Sequence, residues 1–312
     1  MKIDTHQHFW KYNVEEYGWI GEGMEIMARD RLPADLKPLI EDMGIGGTVA
    51  VQARQVVEET AALLKMAEDT DFIKGVVGWV DLRSPRVEDQ LDRYKDHPKM
   101  AGVRHVVQDE PDERFVLRKD FLRGIGKLRQ CDLVYDILIL PNQLPATIEM
   151  VRKFPDQVFV LDHIAKPCIK DGKLSPWDND IRKLAACPNV SCKLSGMVTE
   201  ADWNHWKPEH IEPYMEIVLD AFGPQRLTIG SDWPVCTAAG NYRQVVSLAA
   251  EFIGKLSKDE QRAIWEENPV RIYGLKSAGN FSSPANRKNS HDSCKTYYRH
   301  GRQVRPSGTG AA

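Results

Sequence analysis

Residues 2–8 read Lys-Ile-Asp-Thr-His-Gln-His and form the first of eight strand candidates. The others are apolar or β-branched runs at 47–53, 73–82, 101–107, 133–140, 158–165, 190–196 and 226–232. Helix-forming segments with apolar residues three to four apart lie between the strand candidates or follow the last one, for example 57–70, 142–154, 212–222, 242–256 and 258–274. Eight strand–helix repeats predict an α/β fold, a single-domain, distorted (β/α)8 TIM-type barrel. An open doubly wound sheet is the alternative, but it favours GxGxxG after the first strand, where this chain has His-Gln-His.

The overall composition excludes several classes of protein. The chain has 312 residues, is 42% hydrophobic, and carries 42 Lys plus Arg against 45 Asp plus Glu, a net charge of -3. That is enough apolar material for a sizeable core, and the charge argues against a nucleic-acid partner or an anionic membrane surface. Six cysteines include no CxxC pair, and neither a signal peptide nor a transmembrane segment is expected. We therefore expect a cytoplasmic protein, with homo-oligomer formation left open.

The charge divides the chain into two parts. Residues 277–312 hold six Lys or Arg and one Asp, and contain no Leu, Ile, Met or Trp, whereas residues 1–276 carry the acidic excess. Such a segment buries too little apolar surface to offset its ordering entropy, so we predict a barrel over 1–276 and a disordered basic tail over 277–312. A flexible extension is favoured over a nucleic-acid-binding tail. Residues 11–32 are predicted to be a long loop that shapes the substrate pocket.

The strongest chemical signal is the pair of histidines that ends the first strand. Side chains two apart in a strand share a face, so one face is expected to carry Asp4, His6 and His8 into the barrel and the other to carry Ile3, Thr5 and Gln7 toward the helices. Active sites of such barrels lie at the carboxyl ends of the strands. His6 and His8 are therefore candidate ligands, and a pair of hydrogen-bonded core histidines is the alternative.

Two later strands also end in residues with chemical potential. His163 lies in the segment Leu-Asp-His-Ile-Ala-Lys-Pro, and Asp232 lies in Gly-Ser-Asp-Trp-Pro. A partly desolvated carboxylate needs a cation, a histidine or a water, so Asp232 is a candidate metal ligand, general base, or both. A structural histidine and a helix N-cap are the respective alternatives.

Four motifs carry a family resemblance. DTHQHFW at 4–10, GVRHVVQ at 102–108, LDHIAKP at 161–167 and GSDWPV at 230–235 resemble the amidohydrolase superfamily, and more narrowly its sugar-lactonase branch, the L-fuconolactonase and L-rhamnono-lactonase group. The resemblance covers about residues 1–275. It implies a hydrolase that opens a sugar lactone to the aldonic acid by water attack.

The resemblance also implies roles for individual residues. His6, His8, His163 and Asp232 match the metal-binding positions, with Asp232 as general base and His163 as a further catalytic residue. Superfamily members with two metals use a fourth-strand lysine, and this strand reads Ala-Gly-Val-Arg-His, so we expect one divalent metal such as Zn²⁺, or none. Without a metal, His163 and Arg104 are expected to stabilise the oxyanion.

Several strand-end residues would suit a polyhydroxylated substrate. The substrate-binding candidates are Trp10, Gln52, Arg54, Trp79, Arg104, His105, Lys193 and Trp233. Arg104 and His105 are adjacent, so only one of them points inward if the strand is regular. The competing functions are a metal-dependent non-oxidative decarboxylase of the same superfamily and a metal-binding barrel without catalysis.

Overall fold

Eight parallel strands are the frame of the protein. The structure is a computed structural model that describes residues 1–276, and the predicted tail at 277–312 lies outside the described residues. The strands are β1 (Lys2–Gln7), β2 (Ile45–Val51), β3 (Ile73–Gly78), β4 (Met100–Val106), β5 (Val134–Leu138), β6 (Phe159–Leu161), β7 (Val190–Leu194) and β8 (Leu227–Ile229). They lie side by side in chain order, each parallel to the next.

Backbone hydrogen bonds join the two edge strands of this sheet. The amide of Asp232 donates to the carbonyl of His6 at 2.8 Å, and the amide of His8 donates to the carbonyl of Trp233 at 2.7 Å. The chain after β8 therefore pairs with the end of β1, which nearly closes the sheet. The fold is the predicted (β/α)8 TIM-type barrel.

Helices connect and cover the strands. They are α1 (Pro33–Asp42), α2 (Val57–Glu68), α3 (Val87–Asp92), α4 (Lys119–Leu128), α5 (Leu144–Lys153), α6 (Trp177–Ala185), α7 (Pro208–Phe222), α8 (Tyr242–Ile253), α9 (Lys258–Arg262) and α10 (Asn268–Tyr273). A π-helical turn, Ala263–Glu267, joins the last two. No helix within residues 1–276 is long and apolar enough to cross a membrane.

The apolar core has a large layer and a small one. The large layer lies between strands and helices and includes Leu63, Phe121 and Val218. The small layer packs strand residues such as Ile3 and Val77 with Tyr273 at the end of α10. Both faces of the parallel strands are thereby buried, which is why the strands read as nearly continuous apolar runs.

The predicted alternation of β1 is wrong at its start. Ile3 packs in the small inner layer, and Asp4 accepts a hydrogen bond from the hydroxyl of Tyr242 on α8 at 3.0 Å, so Asp4 turns toward the helices. The register between β1 and β2 shifts between Asp4 and Gln7. This irregularity reverses the side-chain direction, so His6 still reaches the barrel interior.

The segment predicted as a long loop, residues 11–32, contains one short 3-10 turn, Glu25–Met27. Its ends are held together because Trp10 and Arg31 exchange backbone hydrogen bonds of 2.9 and 2.8 Å. Tyr17 and Met27 pack with Trp10 in a separate apolar cluster. The loop is therefore anchored on its own core beside the end of β1.

Candidate active site

Four side chains meet at the end of β1. His6 Nε2 lies 3.2 Å from His8 Nε2, and Asp232 Oδ1 lies 3.4 Å from His8 Nε2 and 3.7 Å from His6 Nε2. His163 Nε2 lies 3.9 Å from the same carboxylate oxygen. All four side chains are buried, with at most 5% of each residue exposed. The structure therefore brings together the four residues that the sequence predicts as ligands.

The donor atoms fit one tetrahedral metal ion. Zinc–nitrogen and zinc–oxygen bonds of 2.0–2.2 Å place neighbouring ligand atoms about 3.4 Å apart. The three distances among His6, His8 and Asp232 range from 3.2 to 3.7 Å. Two imidazole nitrogens and a carboxylate are also a donor set that suits zinc.

Hydrogen bonds behind the histidines direct these nitrogens to the centre. His8 Nδ1 lies 2.8 Å from the carbonyl of Val51, so Nδ1 carries the proton and Nε2 keeps its lone pair. His163 Nδ1 lies 2.9 Å from the hydroxyl of Ser195. These contacts orient the rings as partners of metal-binding histidines commonly do.

Left-handed backbone places His163 and Asp232. His163, Ile164, Ala165 and Lys166 have φ between 48° and 60°, and Asp232 has φ 57°. Such angles are uncommon for residues other than glycine, and strain of this kind concentrates at functional sites. Gly196 supports the arrangement because a Cβ there would lie 2.4 Å from His163 Nδ1.

A layer of buried charges lies against His6. Lys193 Nζ contacts Asp136 Oδ2 at 2.5 Å, Asp162 Oδ1 at 2.9 Å and His6 Nδ1 at 3.1 Å. Arg104 contacts Asp162 Oδ2 at 3.0 Å and His6 Nε2 at 3.2 Å. The two cations balance the two carboxylates, so each buried charge has an opposite partner.

Burial and neighbouring charges set the protonation of the site. Burial lowers the pKa of His163 to about 4 and holds the pKa of His6 well below its usual value, so both imidazoles are neutral at neutral pH. Burial alone would raise the pKa of Asp232, but His163, His8 and His6 outweigh it, so its pKa is lowered. The carboxylate is therefore ionised, as a ligand or base requires.

A cavity of about 660 Å³ opens above these residues. His8, His163 and Asp232 line its floor together with Arg104, and Glu16, Trp19 and Met24 from the 11–32 loop line its wall. The loop therefore borders the pocket, as the sequence predicts. The volume suits a small-molecule ligand.

Comparisons with known proteins agree with this geometry. The amidohydrolase family model matches residues 3–275. The chain belongs to the amidohydrolase family. This amidohydrolase is 44% identical over 286 residues to an L-fucono-1,5-lactonase of Burkholderia multivorans, covering 88% of this chain and 96% of that protein. The resemblance inferred from the four motifs is confirmed.

Two solved structures show how far the likeness extends. A crystal structure of an amidohydrolase from Burkholderia multivorans with bound Zn is 44% identical, with a TM-score of 0.86, and covers 88% of this chain and 100% of that chain. A 2,6-dihydroxybenzoate decarboxylase is 12% identical, with a TM-score of 0.62, covering 88% and 99%. The second likeness shows the shared fold alone.

The amidohydrolase places its predicted substrate-binding residues in several environments. Arg54 and Arg104 line the cavity. Gln52 donates to the carbonyl of Arg104 at 3.3 Å, and Lys193 lies in the charged layer beside His6, so both are placed behind the site.

The four aromatic candidates lie outside the set of cavity-lining residues. Trp10 donates to the carbonyl of Arg29 at 3.0 Å, and Trp233 packs on Phe9. Trp79 Nε1 lies 3.4 Å from His105 Nδ1, and the His105 ring stacks on Phe115, on the helix side of β4. Arg104 is thus the member of the Arg104–His105 pair that points inward.

Sequence reasoning missed several lining residues of the amidohydrolase. Gln108 and Asp109 lie in a 3-10 turn after β4, Lys166 follows His163, and Glu16 lies in the 11–32 loop. Lys166 was visible as the residue that ends the Asp-His-Ile-Ala-Lys motif. The others lie in loops without periodicity, and their position after a strand end was the only available signal.

Proposed function

We propose that this amidohydrolase hydrolyses an L-fucono-lactone-like sugar lactone to the aldonic acid. The observation that carries the proposal is the convergence of His6, His8, His163 and Asp232 on one point at the floor of the cavity. The 44% identity to a protein named L-fucono-1,5-lactonase supports the substrate class. An ester carbonyl above this point would meet both a base and positive charge.

Asp232 is the general base in this proposal. Its ionised carboxylate takes a proton from water, and the water oxygen attacks the carbonyl carbon of the lactone. The tetrahedral intermediate collapses with cleavage of the bond to the ring oxygen. That oxygen leaves with the proton returned by Asp232, so the products are one carboxyl and one hydroxyl group.

The oxyanion needs positive charge or hydrogen-bond donors near Asp232. Arg104 lines the cavity and is fixed by Asp162, while His163 is fixed by Ser195. Preorganised donors of this kind stabilise developing negative charge without reorganisation. For the site without a bound metal, we therefore propose Arg104 and His163 as the oxyanion-stabilising residues.

A single divalent metal fits the same residues. We propose that His6, His8 and Asp232 hold it, with His163 close by as a fourth ligand. When bound, Zn²⁺ polarises a carbonyl and lowers the pKa of water. A second candidate donor group, His6, Asp162 and His163, shares His6 with the first, and its carboxylate, Asp162, is already in contact with the two cations Arg104 and Lys193. That contact favours one ion over two.

We also propose a cytoplasmic location. The cysteines within residues 1–276 are free, namely Cys131, Cys168, Cys187, Cys192 and Cys236. Free cysteines are typical of a reducing compartment. The proposed partner is the small-molecule lactone, without a nucleic-acid partner, and no described feature favours a particular oligomeric state.

The alternatives have weaker support. The decarboxylase hypothesis has support only from solved decarboxylase structures that are 11% and 12% identical, and this likeness shows the fold alone. An inactive metal-binding barrel has no feature in its favour among residues 1–276, because each of the four predicted residues is in place.

A lactone panel tests the proposal. Purified protein is offered L-fucono-, L-rhamnono- and L-galactono-lactones while acid release is followed with a pH indicator. We expect hydrolysis above the spontaneous rate, and a large loss in Asp232→Asn. Asp171→Asn, at an exposed aspartate paired with Lys173, is the matched control and should keep full activity. Spontaneous rates with every lactone would overturn the proposed function.

A further inference from the structure

The turn after β4 is a second recognition feature of the pocket. Val107–Asp109 form this 3-10 turn, and Gln108 and Asp109 line the cavity. We propose that the turn is a hydroxyl-recognition subsite in which the side-chain oxygen of Gln108 accepts a hydrogen bond from one ring hydroxyl of the lactone. The inference rests on the proposed function and adds the residue that selects among lactones.

The first argument is an acceptor without a partner. Gln108 Oε1 has no hydrogen-bond partner among residues 1–276, and it is enclosed before a ligand binds, so the subsite requires the side-chain amide to turn this oxygen into the cavity as the lactone enters. The amide nitrogen of the same side chain donates to Asp109 Oδ1 at 3.2 Å, which leaves the oxygen as the free end. A buried acceptor left unpaired destabilises the empty pocket, so a ligand that donates a hydrogen bond to it gains affinity.

A neighbouring glutamine shows the contrast. Gln55 lines the same cavity, but its Oε1 accepts a hydrogen bond from the amide of Val106 at 2.9 Å. Its acceptor is already used to hold the end of β4. Gln55 therefore supports the backbone beside the turn, whereas Gln108 retains an acceptor for the ligand.

The second argument is that the turn is fixed from its far side. His105 Nε2 lies 2.7 Å from Glu110 Oε1, and Trp79 Nε1 approaches His105 Nδ1 at 3.4 Å. The indole N–H donates, so Nδ1 accepts and Nε2 carries the proton that goes to Glu110. Glu110 N also donates to the carbonyl of Val107 at 3.0 Å. His105 is thus a positioning residue that holds Gln108 in place through Glu110.

The chemistry of the subsite defines the ligand. A carbonyl oxygen accepts from a hydroxyl but gains nothing from a hydrogen or a methyl group at the same position. Sites built around a substrate hydroxyl discriminate strongly against analogues that lack it. The favoured substrate therefore carries a hydroxyl at the ring position that faces Gln108.

The experiment compares L-fucono-1,5-lactone with its monodeoxy analogues. We expect the unaltered protein to prefer the parent lactone over each analogue. Gln108→Met, which is of similar length but lacks the acceptor, should lower kcat/KM for the parent about 10- to 100-fold and for one analogue hardly at all. Gln55→Met is the matched control and should leave the ratio between parent and analogues unchanged. Gln108→Ala repeats the test if the methionine variant is not folded.

The positioning role has its own readout. Glu110→Ala should raise KM for the parent lactone with little change in kcat, because the acceptor is displaced while Asp232 is not. Glu110→Gln keeps an oxygen for the His105 N–H and should restore KM. A fall in kcat that glutamine does not restore would contradict the positioning role.

Two failures are distinguishable. If the unaltered protein opens the parent lactone but Gln108→Met changes the parent and every analogue by the same factor, the subsite is overturned and the proposed function stands. If the unaltered protein opens no lactone, the proposed function is overturned and the subsite with it.

Discussion

The Nε2 atoms of His6 and His8 lie 3.2 Å apart, although His6 is inside the barrel and His8 is beyond the end of β1. The carbonyl of Val51 fixes the His8 ring by its other nitrogen at 2.8 Å. Two nitrogens this close repel unless a proton or a cation lies between them. With a cation between them, the two nitrogens supply two of the four ligands of a metal site.

Replacement of His8 tests the metal site. His8→Gln removes one imidazole ligand while keeping a polar side chain at the end of β1. We expect the affinity for Zn²⁺ to fall at least 10-fold, measured by competition with a chromogenic chelator and by metal analysis after dialysis. His205→Gln, at an exposed histidine on the loop after β7, is the control and should bind metal as before. Equal affinity in both variants would contradict the ligand assignment.

Gly196 is expected to be irreplaceable because of His163. In Gly196→Ala, a Cβ would lie 2.4 Å from His163 Nδ1, and the residue has φ 62°. Gly172→Ala is a matched control because Gly172 has φ 63° with nothing within 4 Å of its Cβ position. Both variants carry backbone strain of about 1 kcal/mol. Only Gly196→Ala should also displace His163 and lower kcat. Lactone hydrolysis measures kcat, and urea unfolding measures the loss of stability that both variants share.

Glu59 should make stability depend on pH. The Glu59 carboxylate accepts hydrogen bonds from the amides of Ala53 and Arg54. Burial nevertheless raises its pKa from an ordinary 4.5 to about 7. Between those pH values the folded state binds more protons than the unfolded state, so the free energy of unfolding falls as pH rises from about 5 to 7. Glu59→Gln should remove this pH-dependent fall in the free energy of unfolding, which is on the order of 3 kcal/mol.

Urea unfolding at pH 5 and pH 8 measures this effect. The free energy of unfolding of Glu59→Gln should change less between pH 5 and pH 8 than that of the wild type. The gain in stability of the variant over the wild type should therefore be larger at pH 8 than at pH 5. Glu58→Gln, at the exposed neighbouring position, is the control and should keep the wild-type dependence. Parallel stability curves for the wild type and Glu59→Gln would contradict the prediction.

The strands could be predicted from sequence because parallel strands buried on both faces appear as separate apolar runs. The direction of individual side chains could not always be predicted. The alternation rule fails between Asp4 and Gln7, where the register shifts, and nothing in the residue types marks that irregularity. It succeeds for Arg104 and His105, of which one had to point inward, but which one depends on packing against Phe115.

The candidate ligands could be predicted because each lies in a motif at a strand end. The pocket wall could not, because it depends on the paths of loops. Gln108 reaches the cavity through a 3-10 turn that Glu110 and His105 hold in place. Lys193 and Arg104, the two cations of the charged layer beside His6, were both predicted to bind the substrate, but only Arg104 lines the cavity.

Lys193 is expected to stabilise the barrel more than any surface lysine. Its ammonium is fully buried between Asp136 and Asp162, and Asp136 also accepts from the hydroxyl of Tyr273 at 3.1 Å. Lys193→Met leaves two buried carboxylates with one cation fewer, which typically costs 3–5 kcal/mol when a buried pair loses one partner. Denaturant unfolding should show this loss, and should show almost none for Lys173→Met at an exposed ion pair.

A second substitution separates charge from packing. Asp136→Asn added to Lys193→Met removes the carboxylate that lost its partner, and asparagine still accepts from Tyr273. We expect the double variant to be more stable than Lys193→Met, since fewer unpaired charges remain in the interior. The opposite outcome is that Asp136→Asn lowers stability by the same amount in Lys193→Met as in the wild type. The two side chains would then act independently, and their contact would not stabilise the fold.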